Sequence, residues 1–171
     1  RWRNALVGSA LTLSNTEGER ITISASGAGR YPIELSVSDG RWSSSDTVMV
    51  EFSHRPLADA GEGGLYGVGE KVPLDGRGSS DEDGDALTYK WTVSEGGGLT
   101  NELTATPTFY AETAGIYTIG LEVTDGVWNS EVAQIQVEVD ERPVAEAGPD
   151  QHRLVGEPIE LEATASTDPE G

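Results

Sequence analysis

The 171 residues include 30 Asp and Glu against 11 Lys and Arg, which gives a formal net charge of −19. This charge disfavours binding to nucleic-acid phosphates and to anionic membrane surfaces. Cysteine is absent, which excludes disulfides and thiolate metal sites, and no apolar stretch reaches the roughly 18 residues of a membrane span. The 22 glycines and 8 prolines favour short strands joined by turns.

Alternation of apolar and polar residues with a period of two predicts strands along the middle of the chain. A short strand is expected at 71–74, followed by longer ones at 87–93, 116–123 and 132–139. Because Gly, Asp and Ser clusters separate these segments, about seven short strands favour an all-β fold of tandem immunoglobulin-like β-sandwiches. The residues expected to carry much of the core are Trp91, Tyr117, Leu121, Val123 and Val137.

The sequence repeats itself after about 87 residues, which is the signature of a tandem array. The segment 55–61 returns at 142–148, shifted by 87 positions. The later segment 115–128 matches 29–42 toward the N-terminus. The chain therefore contains one complete unit and parts of two others.

These matches divide the chain into three parts. We predict the C-terminal half of a repeat at 1–54, a complete repeat at 55–141 and the N-terminal half of a repeat at 142–171. Two interpretations stay open for the halves. Either the chain is a portion of a longer array, or residues 142–171 of one molecule complete residues 1–54 of the next, head-to-tail.

Five short motifs follow one another in the central repeat. They are Pro-x-Ala-x-Ala-Gly from residue 56, Leu-Asp-Gly-x-Gly-Ser-Ser-Asp-x-Asp-Gly-Asp from residue 74, Tyr-Lys-Trp from residue 89, Ala-Gly-x-Tyr from residue 114 and Val-Thr-Asp-Gly from residue 123. In this order they resemble the motifs of PKD (polycystic kidney disease) domains. The resemblance implies immunoglobulin-like scaffold modules of extracellular bacterial or archaeal proteins.

The acidic turn at 81–85 carries carboxylates at alternate positions. Oxygen ligands of this kind suit Ca²⁺, although Asp and Gly are also favoured in an ordinary polar turn. Resemblance to calcium-binding PKD-like modules of secreted collagenases implies ligands at Asp81, Asp83 and Asp125. The matching positions in the half repeats are Asp39, Asp168 and Glu170. Such a site would stiffen the array by tying neighbouring domains together.

We therefore expect a non-catalytic structural or adhesive segment of an extracellular or cell-surface protein, such as a stalk or filament unit. The expected partners are neighbouring copies or repeats and cell-surface or matrix polymers, and the expected cofactor is Ca²⁺. The alternative is a spacer or polymer-binding module of a secreted hydrolase, with Trp42 and Trp128 as contacts. We do not expect an enzyme, because His54 and His152 lie near no nucleophile motif.

Overall fold

The computed structural model describes residues 1–4 and 10–168, which form β-strands, turns and extended segments without a helix. The all-β prediction is therefore confirmed. The contacts between these residues divide them into two units. The first unit holds Arg1–Arg55 together with Asp81–Asp85. The second holds Pro56–Ser80 and the residues from Ala86 onward.

Five strands, all paired antiparallel, build the first unit. They are β1 (Trp2–Asn4), β2 (Leu11–Ser14), β3 (Thr22–Ala25), β4 (Gly29–Ser38) and β5 (Ser43–Phe52). One sheet has the order β1-β4-β5, and β2 pairs with β3 in another. Within this unit Tyr31 and Ile33 of β4 are buried.

Seven strands build the second unit. They are β6 (Gly64–Gly67), β7 (Val72–Pro73), β8 (Thr88–Val93), β9 (Gly97–Thr100), β10 (Thr108–Ala111), β11 (Gly115–Thr124) and β12 (Ala133–Asp140). One sheet has the order β6-β12-β11-β8 and the other β7-β10-β9. Only the β6–β12 pair is parallel among the described strands of this unit. The unit is the predicted seven-stranded immunoglobulin-like sandwich.

Alternate residues of the strands fill the core of this sandwich. On β11 the inward side chains of Ile119, Leu121 and Val123 are fully buried, whereas Ile116 is 66% exposed. The rings of Phe109 and Tyr117 join the two sheets with centroids 5.3 Å apart. All five predicted core residues are buried: Trp91, Tyr117, Leu121, Val123 and Val137. Their burial on one face explains why the sequence alternates with period two.

The two units share the same local hydrogen bonds at matching positions of the repeat. In the second unit the Tyr117 hydroxyl donates to the carbonyl oxygen of Thr113 at 2.8 Å. In the first unit the Tyr31 hydroxyl donates to that of Gly27 at 2.9 Å. The repeated sequence therefore folds into a repeated conformation.

The segment 142–168 contains no strand, but it repeats the start of the complete repeat. The N–H of Val144 donates to the carbonyl oxygen of Thr167 at 2.8 Å, as the N–H of Leu57 does to that of Ser80 at the same distance. Its larger apolar side chains are all exposed, by 44% or more: Val144, Leu154, Val155, Ile159 and Leu161.

Candidate metal centre

The acidic turn Asp81–Asp85 belongs to the first unit and folds around one carboxylate. Asp81 Oδ1 accepts hydrogen bonds from the N–H groups of Asp83 at 2.9 Å and Asp85 at 3.4 Å. Gly84 has a φ of 80°, in the left-handed region that glycine enters without steric cost. This glycine lets the chain turn back, so that its N–H donates to the Asp81 carbonyl oxygen at 3.2 Å.

Three carboxylates of this turn lie close together. One ligand oxygen each from Asp81, Asp83 and Asp85 lies within 4.8 Å of the others. Asp81 Oδ2 is buried and has no hydrogen-bond partner among the described residues. Because a buried carboxylate oxygen without a donor is costly, this oxygen fits a ligand of a bound cation. The oxygen-only donor set suits Ca²⁺.

His54 binds the same turn through both its backbone and its ring. Its N–H donates to Asp83 Oδ2 at 2.6 Å, and its Nδ1 lies 2.7 Å from Asp83 Oδ1. These two bonds hold the pKa of Asp83 below its usual range, the backbone N–H having the larger effect. The Asp83 hydrogen bond in turn raises the pKa of His54. The acidic turn therefore favours the protonated form of the His54 ring.

Asp39 and Asp125 occupy matching hairpin turns and hold them in the same way. Oδ1 of Asp125 accepts from the N–H groups two and three residues further on, at 2.6 Å each. Oδ1 of Asp39 makes the same bonds at 2.9 and 2.7 Å. The donors to Asp39, first Trp42 and then Arg41, lower its pKa. Asp125 Oδ2 is a second buried oxygen without a hydrogen-bond partner in the described part of the chain.

The remaining predicted ligands lie at the end of the chain. Asp168 belongs to the second unit and directly follows Thr167, whose N–H donates to the Val144 carbonyl oxygen at 2.9 Å. Glu170 lies outside the described residues. Within those residues, the structure groups Asp81 and Asp83 with Asp85, and Asp125, the third ligand predicted for the same site, is not a member of this group. Asp39 and Asp168 belong to the matching positions of the half repeats and stay predictions.

Two residues of this site were not among the predicted ligands or contacts. Asp85 continues the alternation of carboxylates from Asp81, so its spacing carried a usable signal. His54 lies 29 positions before Asp83, and no motif connects the two. The structure gives His54 two contacts to Asp83 and one to Glu82, whose Oε2 lies 3.7 Å from His54 Nε2.

Comparison with protein families matches residues 53–139, half of the chain, to the PKD domain. This chain belongs to the PKD domain family. The matched PKD residues include β6 to β11 and most of β12. Among solved structures, this PKD chain is similar to the PKD domain from KIAA 1837 protein, with 27% identity and a TM-score of 0.43. The similarity covers 56% of this chain and 93% of that one.

Two further solved structures are similar to parts of this PKD chain. One is a nucleoside hydrolase-related hypothetical protein from Saccharophagus degradans that is associated with carbohydrate metabolism, with 22% identity, 52% of this chain covered and a TM-score of 0.41. This chain spans 26% of that protein. The other is domains 4 and 5 of the S-layer protein SbsC, with 16% identity, coverage of 81% and 68%, and a TM-score of 0.35. No curated protein matches.

The described residues also contain no helix that is long and apolar enough to cross a membrane.

Proposed function

We propose that this chain is a non-catalytic structural and adhesive segment of an extracellular or cell-surface tandem-repeat protein, such as a stalk or filament unit. Membership of the PKD family supports this role, as does the recurrence of the same motifs along the chain. The buried apolar side chains of the complete repeat pack its two sheets together. Its acidic turns are left for contacts with cations and neighbouring repeats.

The buried, unpartnered Oδ2 of Asp81 is the observation that carries the role of Ca²⁺ in this proposal. Asp81, Asp83 and Asp85 would supply carboxylate oxygens to the ion. Ca²⁺ accepts about six to eight oxygen ligands in irregular geometry, so further ligands are required. Asp125 stays a predicted ligand, and Asp39, Asp168 and Glu170 stay the predicted ligands of matching sites in neighbouring repeats.

A cation at this turn would act mechanically rather than chemically. Asp83 already accepts the backbone N–H of His54 at 2.6 Å. A cation that fixes the Asp83 carboxylate would therefore also fix the chain at His54. Neutralising part of the net charge of −19 would reduce repulsion within the chain as well. We infer that Ca²⁺ stiffens the array in this way.

Small-angle X-ray scattering of the full chain tests this role. We expect Ca²⁺ to narrow the distribution of interatomic distances relative to a chelator, and Asp81→Asn to abolish the effect. Asp75→Asn is the matched control, because Asp75 is an exposed carboxylate whose partner is Arg77 at 2.7 Å. Identical scattering with Ca²⁺ and with chelator would refute the proposed stiffening.

A second candidate function, a polymer-binding module of a secreted hydrolase, is favoured by one observation. Trp42 is 73% exposed at a hairpin turn, and Trp128 at the matching turn is 48% exposed. Exposed aromatic rings can stack on sugar rings or pack on other polymers. Co-sedimentation with insoluble chitin or collagen tests this polymer binding. Retention that is lost in Trp42→Ala would support polymer binding.

A further inference from the structure

A groove of about 360 Å³ lies on the outer face of the three-stranded sheet β7-β10-β9 in the second unit. On β10 the side chains of Phe109 and Ala111 are buried in the core. Those of Thr108 and Tyr110 therefore point to the opposite side of the sheet. The groove is lined by Gly69, Lys71, Thr100, Thr108, Tyr110 and Glu112. It is built by the face of this sheet that takes no part in packing the sandwich.

Tyr110 lies across the neighbouring strand at Gly98. The two residues are opposite one another in the register of β10 and β9. A Cβ atom at Gly98 would lie 2.7 Å from the Tyr110 hydroxyl oxygen and 2.8 Å from its Cε1, closer than side chains approach one another. The missing side chain of Gly98 therefore makes the room that the Tyr110 ring occupies. Tyr110 is still 37% exposed, so part of its ring forms an open surface of the groove.

The strand pairing itself does not require this tyrosine and glycine. β9 and β10 match β2 and β3 of the first unit, where Ser24 stands 86 positions before Tyr110. There Thr12 lies opposite Ser24, in the same register as Gly98 opposite Tyr110. The same pair of strands thus forms with two small polar side chains at these positions. A role outside strand pairing explains why a large aromatic residue and a glycine are combined in the complete repeat.

The polar side chains around Tyr110 are available for a ligand. Within the described part of the chain, none of the side chains that line the groove forms a hydrogen bond or an ion pair. Lys71 offers an ammonium group and Glu112 a carboxylate, while the hydroxyls of Thr100 and Thr108 can both donate and accept. The two charges cancel, although the chain as a whole has a net charge of −19. The groove therefore offers free donors and acceptors without a net charge.

These groups define the class of ligand that fits the groove. An anion would meet Glu112 and the negative charge of the whole chain. A purely apolar ligand would cover the polar side chains without hydrogen-bonding them, which is costly. A neutral ring with several hydroxyl groups avoids both costs, because its C–H groups pack on the aromatic ring and its hydroxyls bond to the surrounding side chains. A pyranose sugar is such a ring, and the groove volume lies within the range of about 300–1,000 Å³ of small-molecule sites.

We propose that this groove binds one uncharged hexopyranose ring of a polysaccharide, with the Tyr110 ring as the surface on which the sugar packs. This inference rests on the adhesive part of the proposed function and names the surface and the ligand class. Lys71, Glu112 and the two threonines would bond to hydroxyl groups around the edge of the sugar. Because Lys71, Thr100 and Glu112 are exposed, the groove admits a ring within a longer chain as well as a terminal one.

NMR titration of the isotope-labelled full chain tests this site. The probes are cellohexaose, mannohexaose and N-acetylchitohexaose, which present neutral hexopyranose rings of different kinds. At least one of them should shift the amide signals of Gly98, Thr108 and Tyr110 saturably and leave those of β12 unchanged. Anionic oligogalacturonate should bind at least about tenfold more weakly. Binding of oligogalacturonate alone, or the absence of saturable shifts around the groove with every neutral probe, overturns the proposal.

Substitutions in the groove test the role of the Tyr110 ring. Tyr110→Ala should raise the dissociation constant for the sugar at least about tenfold, because the packing surface is removed. Gly98→Thr combined with Tyr110→Ser should have the same effect. This double variant installs the pair that the matching strands of the first unit already hold, so the sheet remains folded. Ile116→Ala, which removes a side chain that is 66% exposed on the other sheet, should bind as wild type.

Equal affinity of wild type and the double variant overturns the proposal. Sugar binding that is lost in Trp42→Ala but kept in the double variant also overturns it, because the polymer contact would then lie at the hairpin turn. The same holds if a collagen-like peptide shifts the groove signals and no sugar does. All these measurements are made in chelator. Calcium-dependent stiffening without sugar binding would refute only the groove site, and sugar binding without any calcium effect would refute only the proposed role of Ca²⁺.

Discussion

Buried tyrosines stabilise the start of β4 and of β11 through hydrogen bonds of their hydroxyl groups. The Tyr117 hydroxyl donates to the Thr113 carbonyl oxygen and lies 2.9 Å from the Thr113 hydroxyl. Tyr31 makes the corresponding bond to Gly27. Because the ring is buried while its oxygen is bonded to the preceding turn, one side chain fixes both the core and the loop.

Tyr117→Phe should lower the free energy of unfolding of the full chain by about 0.5–1.5 kcal/mol, because one hydrogen bond is lost and the Thr113 carbonyl oxygen loses its donor. Urea unfolding followed by circular dichroism measures the effect. Tyr110→Phe is the control, since Tyr110 is 37% exposed and on β10. Equal effects of the two substitutions would contradict the role of the Tyr117 hydroxyl.

The His54–Asp83 pair should make stability depend on pH. The pKa of His54 lies above its ordinary 6.5, so the contribution of His54 is full below pH 6.5 and is lost as pH rises through the raised pKa. The pKa of Asp83 lies below its ordinary 3.8, so its contribution is present above pH 3.8 and is lost as pH falls through the lowered pKa. The pair therefore stabilises the fold most between about pH 3.8 and 6.5.

NMR titration of the His54 ring in chelator checks this expectation. The midpoint should lie above 6.5 and should fall in Asp83→Asn, while Asp75→Asn should leave it unchanged. A midpoint at or below 6.5 in the wild type would show that the His54–Asp83 contact is not maintained in solution.

At the scale of elements, β11 is a central strand of the complete repeat. It pairs with β12 on one side and β8 on the other. Its inward side chains form the middle of the core, and Leu121 has no exposed surface. On the outward face of the same strand, Ile116 remains 66% exposed. Removal of side-chain atoms should therefore cost stability on one face of β11 only.

Leu121→Ala should lower the free energy of unfolding by about 2–5 kcal/mol, because it removes buried methyl groups and leaves a cavity. Ile116→Ala on the same strand should change it by no more than about 0.5 kcal/mol. Urea unfolding of the two full-length variants measures both values. A cost for Ile116→Ala as large as that for Leu121→Ala would contradict the assigned faces of β11.

Four strands of the complete repeat were predicted from the sequence, and three were not. The predicted segments 71–74, 87–93, 116–123 and 132–139 correspond to β7, β8, β11 and β12. The missed strands β6, β9 and β10 are each four residues long. Glycine forms half of β6 and of β9. Partner strands decide their conformation, because such short segments lack enough alternating side chains to signal a face.

The candidate site was predictable where its residues are neighbours in sequence. The alternate carboxylates placed Asp81 and Asp83 in one turn, and in the structure their ligand oxygens lie within 4.8 Å of one another. Their role as calcium ligands stays a prediction. The contact of His54 with Asp83 spans 29 positions. This contact depends on the tertiary fold that brings residue 54 beside the acidic turn, and no local sequence pattern indicates it. Glu170 lies outside the described residues, so its role remains a prediction.

At the scale of the whole molecule, one pattern of sequence and hydrogen bonds recurs along an acidic chain. Three features recur at matching positions of the repeat. They are the Asp turns at Asp39 and Asp125, the Tyr hydroxyl bonds at Tyr31 and Tyr117, and the β-bridges at Leu57 and Val144. Repetition of a PKD unit suits a structural array, in which stability comes from each unit and from its contacts with the next. Ca²⁺ is the proposed link between the acidity and that role.

Thermal unfolding of the full chain with and without Ca²⁺, at constant ionic strength, tests this link most directly. Ca²⁺ that binds only the folded chain should raise Tm. A free Ca²⁺ concentration of about a hundred times Kd adds about 2.7 kcal/mol to the free energy of unfolding. We predict a rise of several degrees for wild type and Asp75→Asn and none for Asp81→Asn. An unchanged Tm in wild type, or an equal rise in Asp81→Asn, would contradict calcium binding by the acidic turn.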